Sequence, residues 1–338
     1  MRKKRFLAFL CLLALSASLV SCRDTTLHTS RVYAMGTYAS LTEVLPRGED
    51  GDMSPLFTSL LTKTEALLSH RREGSFSHRL NTLGYADIGE EDARLIDALR
   101  LCEEIGAKTD GLFSVSLLPL TSLWDFDAES PTPPSAEEIS AALEDLAGSA
   151  LHFEHERVYK TGGGIDLGAI GKGYACDEIA DALRAKGKAA LVSVGGSIAA
   201  LGEKPSGDAW QIGVRDPFSS SQSAVLGTLS LKDSFVSTSG SYEKCFTHAG
   251  KTYHHILDPR TGAPAESDLV SVTAVATGGT LSDALSTACF LVGSDAAFSL
   301  AAEYGAALIA VKADGTLLVS ESLRGIFSPK AGWEVLYR

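Results

Sequence analysis

The chain is short of positive charge: 30 Lys and Arg stand against 42 Asp and Glu, a formal net charge of −12. It has no basic stripe either. Nucleic acid is thereby excluded as a partner, because affinity for a phosphate backbone comes from clustered cations. Cysteine is sparse, six residues with no CxxC pair, which excludes paired-cysteine zinc and redox motifs. No apolar run is long enough to span a bilayer as a helix. Internal repeats and low-complexity runs are missing, so solenoid and tract-like architectures are excluded. What is present is a 45% apolar composition, enough for the core of one large domain or two small ones.

The N-terminus, MRKKRFLAFLCLLALSASLVSC, places four basic residues before the short apolar run Phe6–Val20. That order is the n-region and h-region of a secretory signal. The run ends Leu19-Val20-Ser21-Cys22, which resembles a bacterial lipobox, where cleavage precedes the cysteine and the cysteine takes lipid. An ordinary secretory peptide with a chance cysteine, or an uncleaved anchor, is the competing reading. The lipoprotein reading divides the chain into a signal peptide (1–21), a polar tether (22–30) and one domain (31–338). It predicts an exported protein anchored at a membrane surface through Cys22 without spanning it. Removing residues 1–21 takes four basic residues and leaves 26 bases against 42 acids, a net charge of −16. Cys102, Cys176, Cys245 and Cys289 lie in apolar or helical contexts and read mostly as buried thiols.

Helical and strand patterns are mixed along the rest of the chain. RVYAMGTYASLTEVL alternates like one strand interrupted at Gly36. MSPLFTSLLTKTEALLSH and EEDARLIDALRLCEEIGAKTDG read as amphipathic helices, the second closed by Gly111. Ser135 and Glu138 form a predicted capping box. The glycine-rich stretch from Thr161 predicts a strand into Asp166, a turn, a helix over about 170–186 stopped by Gly187, and a strand from Ala189. Further strands follow, then a helix starting near Ser282 and a hairpin around Asp314-Gly315. The order predicts an α+β fold.

Three stretches invite chemistry. Gly168, Gly171 and Gly173 suggest a phosphate loop, but Lys172 is followed by Gly173 where a Walker motif needs Ser or Thr, and the spacing is not G-x-G-x-x-G. A helix N-terminus beside glycines and a lysine is still a plausible anion site; the bland alternative is a tight turn with Lys172 in solvent. In YHHILDPRTG only one of His254 and His255 can face a given side of a strand. A histidine near neutral pKa suits a general base, whereas Asp258 can simply close the Asp-Pro turn. His152, His155 and His248 show no zinc-like spacing to this pair. In GGTLSDALSTACFLVG, Asp283 and Thr287 are four positions apart and share a helix face. They read either as a first-turn acid beside a cap Ser282, or as ligands of a hard cation.

These stretches together resemble the ApbE family of FAD:protein FMN transferases. The resemblance rests on YAMGTYASLT, DGLFSVSLLPLTSLW, GGGIDLGAIGKGYACD, VSVGGSIAALGEKP, STSGSYEK, YHHILDPRTGAP and LSDALSTACFLVG, in family order over about residues 32–335. It implies a T-fold-like α+β body with FAD in a cleft between lobes. It implies Mg²⁺ held by Asp283, Thr287 and the carbonyl of Ala169, a set of hard oxygen donors that suits Mg²⁺ on a pyrophosphate. The implied reaction cleaves FAD and transfers FMN to a Ser or Thr of a target protein, such as a membrane redox-complex subunit, releasing AMP. His255 is the implied base, with Asp258 orienting it. Lys172 steadies phosphates. Met35, Leu112, Phe113, Ser114, Asp166 and Leu257 align with FAD-contacting positions. Ser114 stands where the family usually has Asp. Two alternatives remain at this level: a FAD pyrophosphatase giving FMN and AMP to water, and a flavin-binding lipoprotein without chemistry.

Overall fold

A computed structural model describes residues 25–46, 51–89, 93–155 and 157–338. The signal sequence and Cys22 lie outside the described residues. The fold is α+β, with eight α-helices among the described residues. The main sheet has nine strands, in the order β1 (Thr25–Ala34), β2 (Thr37–Pro46), β6 (Ala190–Val194), β7 (Ser197–Leu201), β10 (Ser234–Gly240), β13 (Leu269–Ala276), β14 (Ala307–Lys312), β15 (Leu317–Val319) and β17 (Val335–Tyr337). Every pairing in it is antiparallel except β15 with β17. Three small sheets accompany it: β8 (Trp210–Arg215), β9 (Val225–Leu231) and β16 (Phe327–Pro329); β3 (Tyr85–Asp87), β4 (Ala150–Glu154) and β5 (Arg157–Thr161); and the hairpin of β11 (Cys245–His248) and β12 (Lys251–His254).

The helices are α1 (Ser54–Leu68), α2 (Phe76–Leu83), α3 (Ala93–Lys108), α4 (Leu118–Trp124), α5 (Ala136–Leu146), α6 (Gly171–Ala185), α7 (Gly279–Val292) and α8 (Ser294–Glu303). On one face of the large sheet, Val272, Ala274, Leu308 and Ala310 pack with Ala284, Leu285 and Ala288 of α7. On the other, Val275, Ile309 and Val311 pack with Trp210, Ile212 and Leu229 of the β8–β9 sheet. Because both faces are covered, β13 is buried almost end to end. A strand covered on both sides has no solvent face to carry polar residues. α1 and α6 cover β2, β6 and β7 through Phe57, Leu61, Ile179 and Leu183. The Ser135–Glu138 capping box forms as predicted, with both reciprocal bonds present.

Four local expectations are corrected. The first predicted strand is two strands: Met35 and Gly36 both have positive φ, 53° and 70°, and make the two-residue turn of the β1–β2 hairpin. Such turns require positive φ, which matches the twist of the flanking strands. β1 already begins at Thr25, so residues 25–30, expected within a tether, are strand paired to β2. The strand expected to run into Asp166 stops at Thr161. Beyond it the side chain of Asn81 does a neighbouring strand's work: Nδ2 donates to the Ile165 carbonyl (2.9 Å) and Oδ1 accepts from the Ile165 N–H (2.7 Å). Finally, α7 begins at Gly279 rather than near Ser282, and Ser282 is buried inside it.

Candidate active site

The start of α7 explains much of the site. Its first N–H groups have no partner of their own, and its N-cap, Gly278, offers no side chain. Asp177, on the sequence-distant α6, supplies the cap. Its Oδ1 accepts from Gly279 N–H (2.6 Å), and its Oδ2 from Thr280 N–H (2.8 Å) and Thr280 Oγ1 (2.7 Å). The two helices touch backbone to backbone. A Cβ placed on Gly173 would lie 2.1 Å from the Gly279 carbonyl oxygen, and one on Gly279 would lie 2.2 Å from the Gly173 carbonyl oxygen. This close approach brings Asp283 onto the first turn of α6, where its Oδ2 accepts from Gly173 N–H (2.9 Å). Asp283 is 3% exposed. Lys172 Nζ stands 3.6 Å from the same oxygen and donates to the Gly168 carbonyl (3.3 Å). The lysine is thus neither loose in solvent nor the partner of a bulk-facing acid.

These residues open onto a cleft of about 630 Å³, a size that fits a dinucleotide-scale ligand. Asp283 and Thr287 both line it, as expected of positions four apart on one helix face. Thr287 Oγ1 is 2.9 Å from Ser239 Oγ, which is also 2.7 Å from Ser286 Oγ. Hydroxyls of β10 therefore rivet α7 to the sheet edge of the cleft. Met35, Phe113, Ser114, Asp166, Ala169, Lys172, His255 and Leu257 line the same cleft. Asp166 Oδ1 accepts from Gly168 N–H (2.9 Å) and lies 3.9 Å from His70 Nδ1. Ser114 Oγ accepts from Ser116 N–H (3.0 Å).

Two predicted residues fall elsewhere. Leu112 is not among the residues lining the cleft; its N–H closes the turn onto Thr109. Asp258 does not orient His255. Its carboxylate accepts from Arg260 N–H (2.8 Å), Nε (3.1 Å) and Nη2 (2.8 Å), the turn-closing role that the Asp-Pro sequence also allowed. That guanidinium holds Asp258 below the usual carboxylate range against the opposing effect of burial.

His255 is held instead by Lys244. The Lys244 carbonyl accepts from His255 N–H (3.0 Å) and lies 3.2 Å from His255 Nδ1. A carbonyl only accepts, so Nδ1 carries the proton and Nε2 keeps the free lone pair of a neutral imidazole. Desolvation, reinforced by the Lys172 and Lys244 cations, pushes the His255 pKa down to about 4. His254 points the other way, into the core, with Phe290 edge-on at 5.7 Å and Nε2 bonded to the Ala265 carbonyl. Only one of the adjacent histidines reaches the cleft; β12 ends at His254, and His255 follows it directly.

Lys244 also belongs to a charge cluster that the sequence reading missed. Its Nζ bonds Asp127 Oδ1 (2.7 Å), and Asp127 Oδ2 is 3.5 Å from Arg71 Nη2. Arg71, Asp127 and Lys244 all line the cleft. They come from three distant segments and follow no shared motif, so no local signal joins them. Asp177 was missed for the same reason.

The donor set at Asp283, Thr287 and Ala169 fits a hard divalent cation: one carboxylate, one hydroxyl and one carbonyl-bearing turn lining the same cleft. Cations of this kind take few protein oxygens and complete their shell with phosphate and water.

A model described as the ApbE family matches residues 35–310. A FAD:protein FMN transferase of Treponema pallidum is 34% identical over 271 residues, covering 75% of this chain and 74% of that protein. One from Klebsiella pneumoniae is 34% identical over 236 residues, covering 67% and 72%. Among solved structures, an ApbE protein of Thermotoga maritima is similar with a TM-score of 0.78 at 31% identity, covering 89% of this chain and 99% of that one. The apo flavinyl transferase ApbE of Pseudomonas stutzeri gives 0.74 at 26% identity, covering 91% and 98%.

Proposed function

The chain belongs to the ApbE family and is a flavin transferase, and from that premise we propose that it moves FMN from FAD to a Ser or Thr hydroxyl of an acceptor protein, with Mg²⁺ in the cleft. The observation that carries this reading is one cleft lined by Asp283, Thr287, Ala169, Lys172 and His255. It combines a cation-type donor set, a fixed positive charge and a neutral imidazole.

In this mechanism the acceptor's hydroxyl oxygen attacks the FMN-side phosphorus of FAD. The new P–O bond is the phosphoester. The P–O bond to AMP breaks, and AMP leaves with the electron pair. His255 Nε2 takes the hydroxyl proton, while Nδ1–H stays on the Lys244 carbonyl, which fixes the tautomer throughout. Lys172 and the N-terminal turn of α6 attract the pyrophosphate. Asp283, Thr287 and the Ala169 carbonyl would hold Mg²⁺, whose chemistry when bound is to neutralise charge on the phosphate oxygens. Met35, Phe113, Ser114, Asp166 and Leu257 bound the space for the rest of FAD.

The same reading exports the chain and anchors it to a bacterial membrane, at a periplasmic or outer face, through lipid on Cys22 after removal of residues 1–21. Cys22→Ser is expected to move the protein from the membrane fraction to the soluble fraction.

The decisive assay mixes the purified protein with FAD and Mg²⁺, with and without EDTA, and with and without an acceptor carrying a flavinylation motif. The acceptor is expected to gain the mass of FMN with matching AMP. Equal FMN and AMP without acceptor would replace the transferase reading by pyrophosphatase activity. Transfer undiminished by EDTA would remove the metal from the proposal.

A further inference from the structure

β2 turns one row of side chains into the core: Ala39, Leu41 and Glu43, at 1%, 1% and 0% exposure. The third is a carboxylate at a position where the period-two pattern asks for an apolar residue. A buried carboxylate is costly unless its oxygens are satisfied. Glu43 Oε1 accepts from Met53 N–H (3.0 Å). Glu43 Oε2 is buried and has no hydrogen-bond partner; the Lys188 charge acts on the carboxylate, but less than the burial that raises its pKa. Directly opposite in the β1–β2 register is His28. Its Nδ1 lies 3.8 Å from Glu43 Oε1 and 4.0 Å from Asp52 Oδ1. Asp52 arrives from the approach to α1, its Oδ1 held by Ser54 N–H (2.8 Å). One ligand atom from each of the three lies within 4.8 Å of the other two.

We propose that His28, Glu43 and Asp52 form a second cation site, distinct from the cleft, for a divalent metal of the zinc class. One imidazole and two carboxylates are a nitrogen–oxygen set that Zn²⁺ accepts with water in the fourth position. The oxygen near His28 is Oε1, so a cation held by both oxygens of the carboxylate would give Oε2 the partner it lacks. The side chains of His28 and Asp52 are 47% and 53% exposed, which leaves an entry path and room for water. A bound ion ties the edge strand β1 to β2 and to the start of α1, and so steadies the hairpin whose tip, Met35 and Gly36, lines the cleft. The competing occupant is a proton shared between Glu43 and Asp52, which would satisfy the same oxygen without metal.

The test uses the full untagged chain stripped with EDTA, carrying Asp283→Ala to remove the cleft's carboxylate, and Zn²⁺ alone as the probe. About one Zn²⁺ per chain is expected by elemental analysis, with a rise in Tm on binding, because a ligand of the folded state alone stabilises it. His28→Ala and Asp52→Asn sit on exposed positions and are each expected to weaken Zn²⁺ by about ten-fold or more and to abolish the rise in Tm. X-ray absorption at the zinc edge is expected to show one imidazole and otherwise oxygen. Zinc bound equally well by both variants, or a sulfur ligand, overturns the site. So does a Tm unmoved by zinc together with stabilisation of the stripped protein by Glu43→Gln, the result expected of a shared proton.

Discussion

Gly173 on α6 and Gly279 on α7 pack so closely that each occupies the space a Cβ on the other would need. The crossing is where the cleft's acid, Asp283, meets the N-terminal turn of α6 through the Gly173 N–H. A methyl group at either glycine must therefore move a helix. Gly173→Ala and Gly279→Ala are each expected to lose about 1–3 kcal/mol of stability, the usual cost of overpacking. Transferase activity should fall further than stability alone explains, since Asp283 moves with the helix. Urea unfolding followed by FMN transfer at a temperature where the variant is folded checks both.

Asp177 caps three donors at the start of α7. Asp177→Ala leaves them buried and unpaired, and a loss of about 2 kcal/mol is expected in chemical denaturation, as for a lost cap or charged hydrogen bond. Asp177→Asn keeps one acceptor oxygen and should recover part of that loss.

Asp283→Ala removes the proposed metal's carboxylate while leaving the aromatic and apolar walls of the cleft in place. Turnover is expected to fall about 100-fold or more, the scale seen when charge stabilisation of a transition state is removed. FAD affinity, measured by flavin fluorescence, should fall much less. Equal losses in both would mean that the acid serves ground-state binding only. EDTA on the unmodified enzyme should reproduce the kinetic defect, and added Mg²⁺ should reverse it.

His255 has a pKa lowered from 6.5 to about 4, chiefly by desolvation. Between those values the unfolded chain binds a proton that the folded chain does not. Stability therefore rises with pH across that window. The contribution is whole above about pH 6.5 and is lost as pH falls towards 4. His255→Gln should flatten the acid-side decline of Tm, with the residual slope owed in part to His254, whose pKa burial also lowers. In transfer assays the same variant should lower kcat throughout the neutral range. A variant with unchanged kcat would take the base role away from His255.

Several parts of this molecule are legible in one dimension because their causes are local. The capping box needs only Ser135 and Glu138, three residues apart. The side-by-side placement of Asp283 and Thr287 follows from helical periodicity. The motif strings around Gly168–Gly173, His255 and Asp283 carry the family, and with it the fold and the transferase class.

Other features depended on which segments meet. Met35-Gly36 read as an interruption in one strand, because a two-residue turn and a bulge present the same glycine until the pairing partner is known. Asp258 looked like a partner for His255 in sequence, but Arg260 is nearer in the turn and takes the carboxylate. Lys244 holds the imidazole through a main-chain carbonyl, a group every residue has and no motif can mark. The caps and rivets of α7 come from Asp177 and Ser239, 102 and 48 positions from the residues they bind. Periodicity and short motifs record what a residue does with neighbours one or two turns away. Hydrogen bonds and charge pairs between distant segments are written only when the chain has closed on itself, because their strength depends on approach and burial.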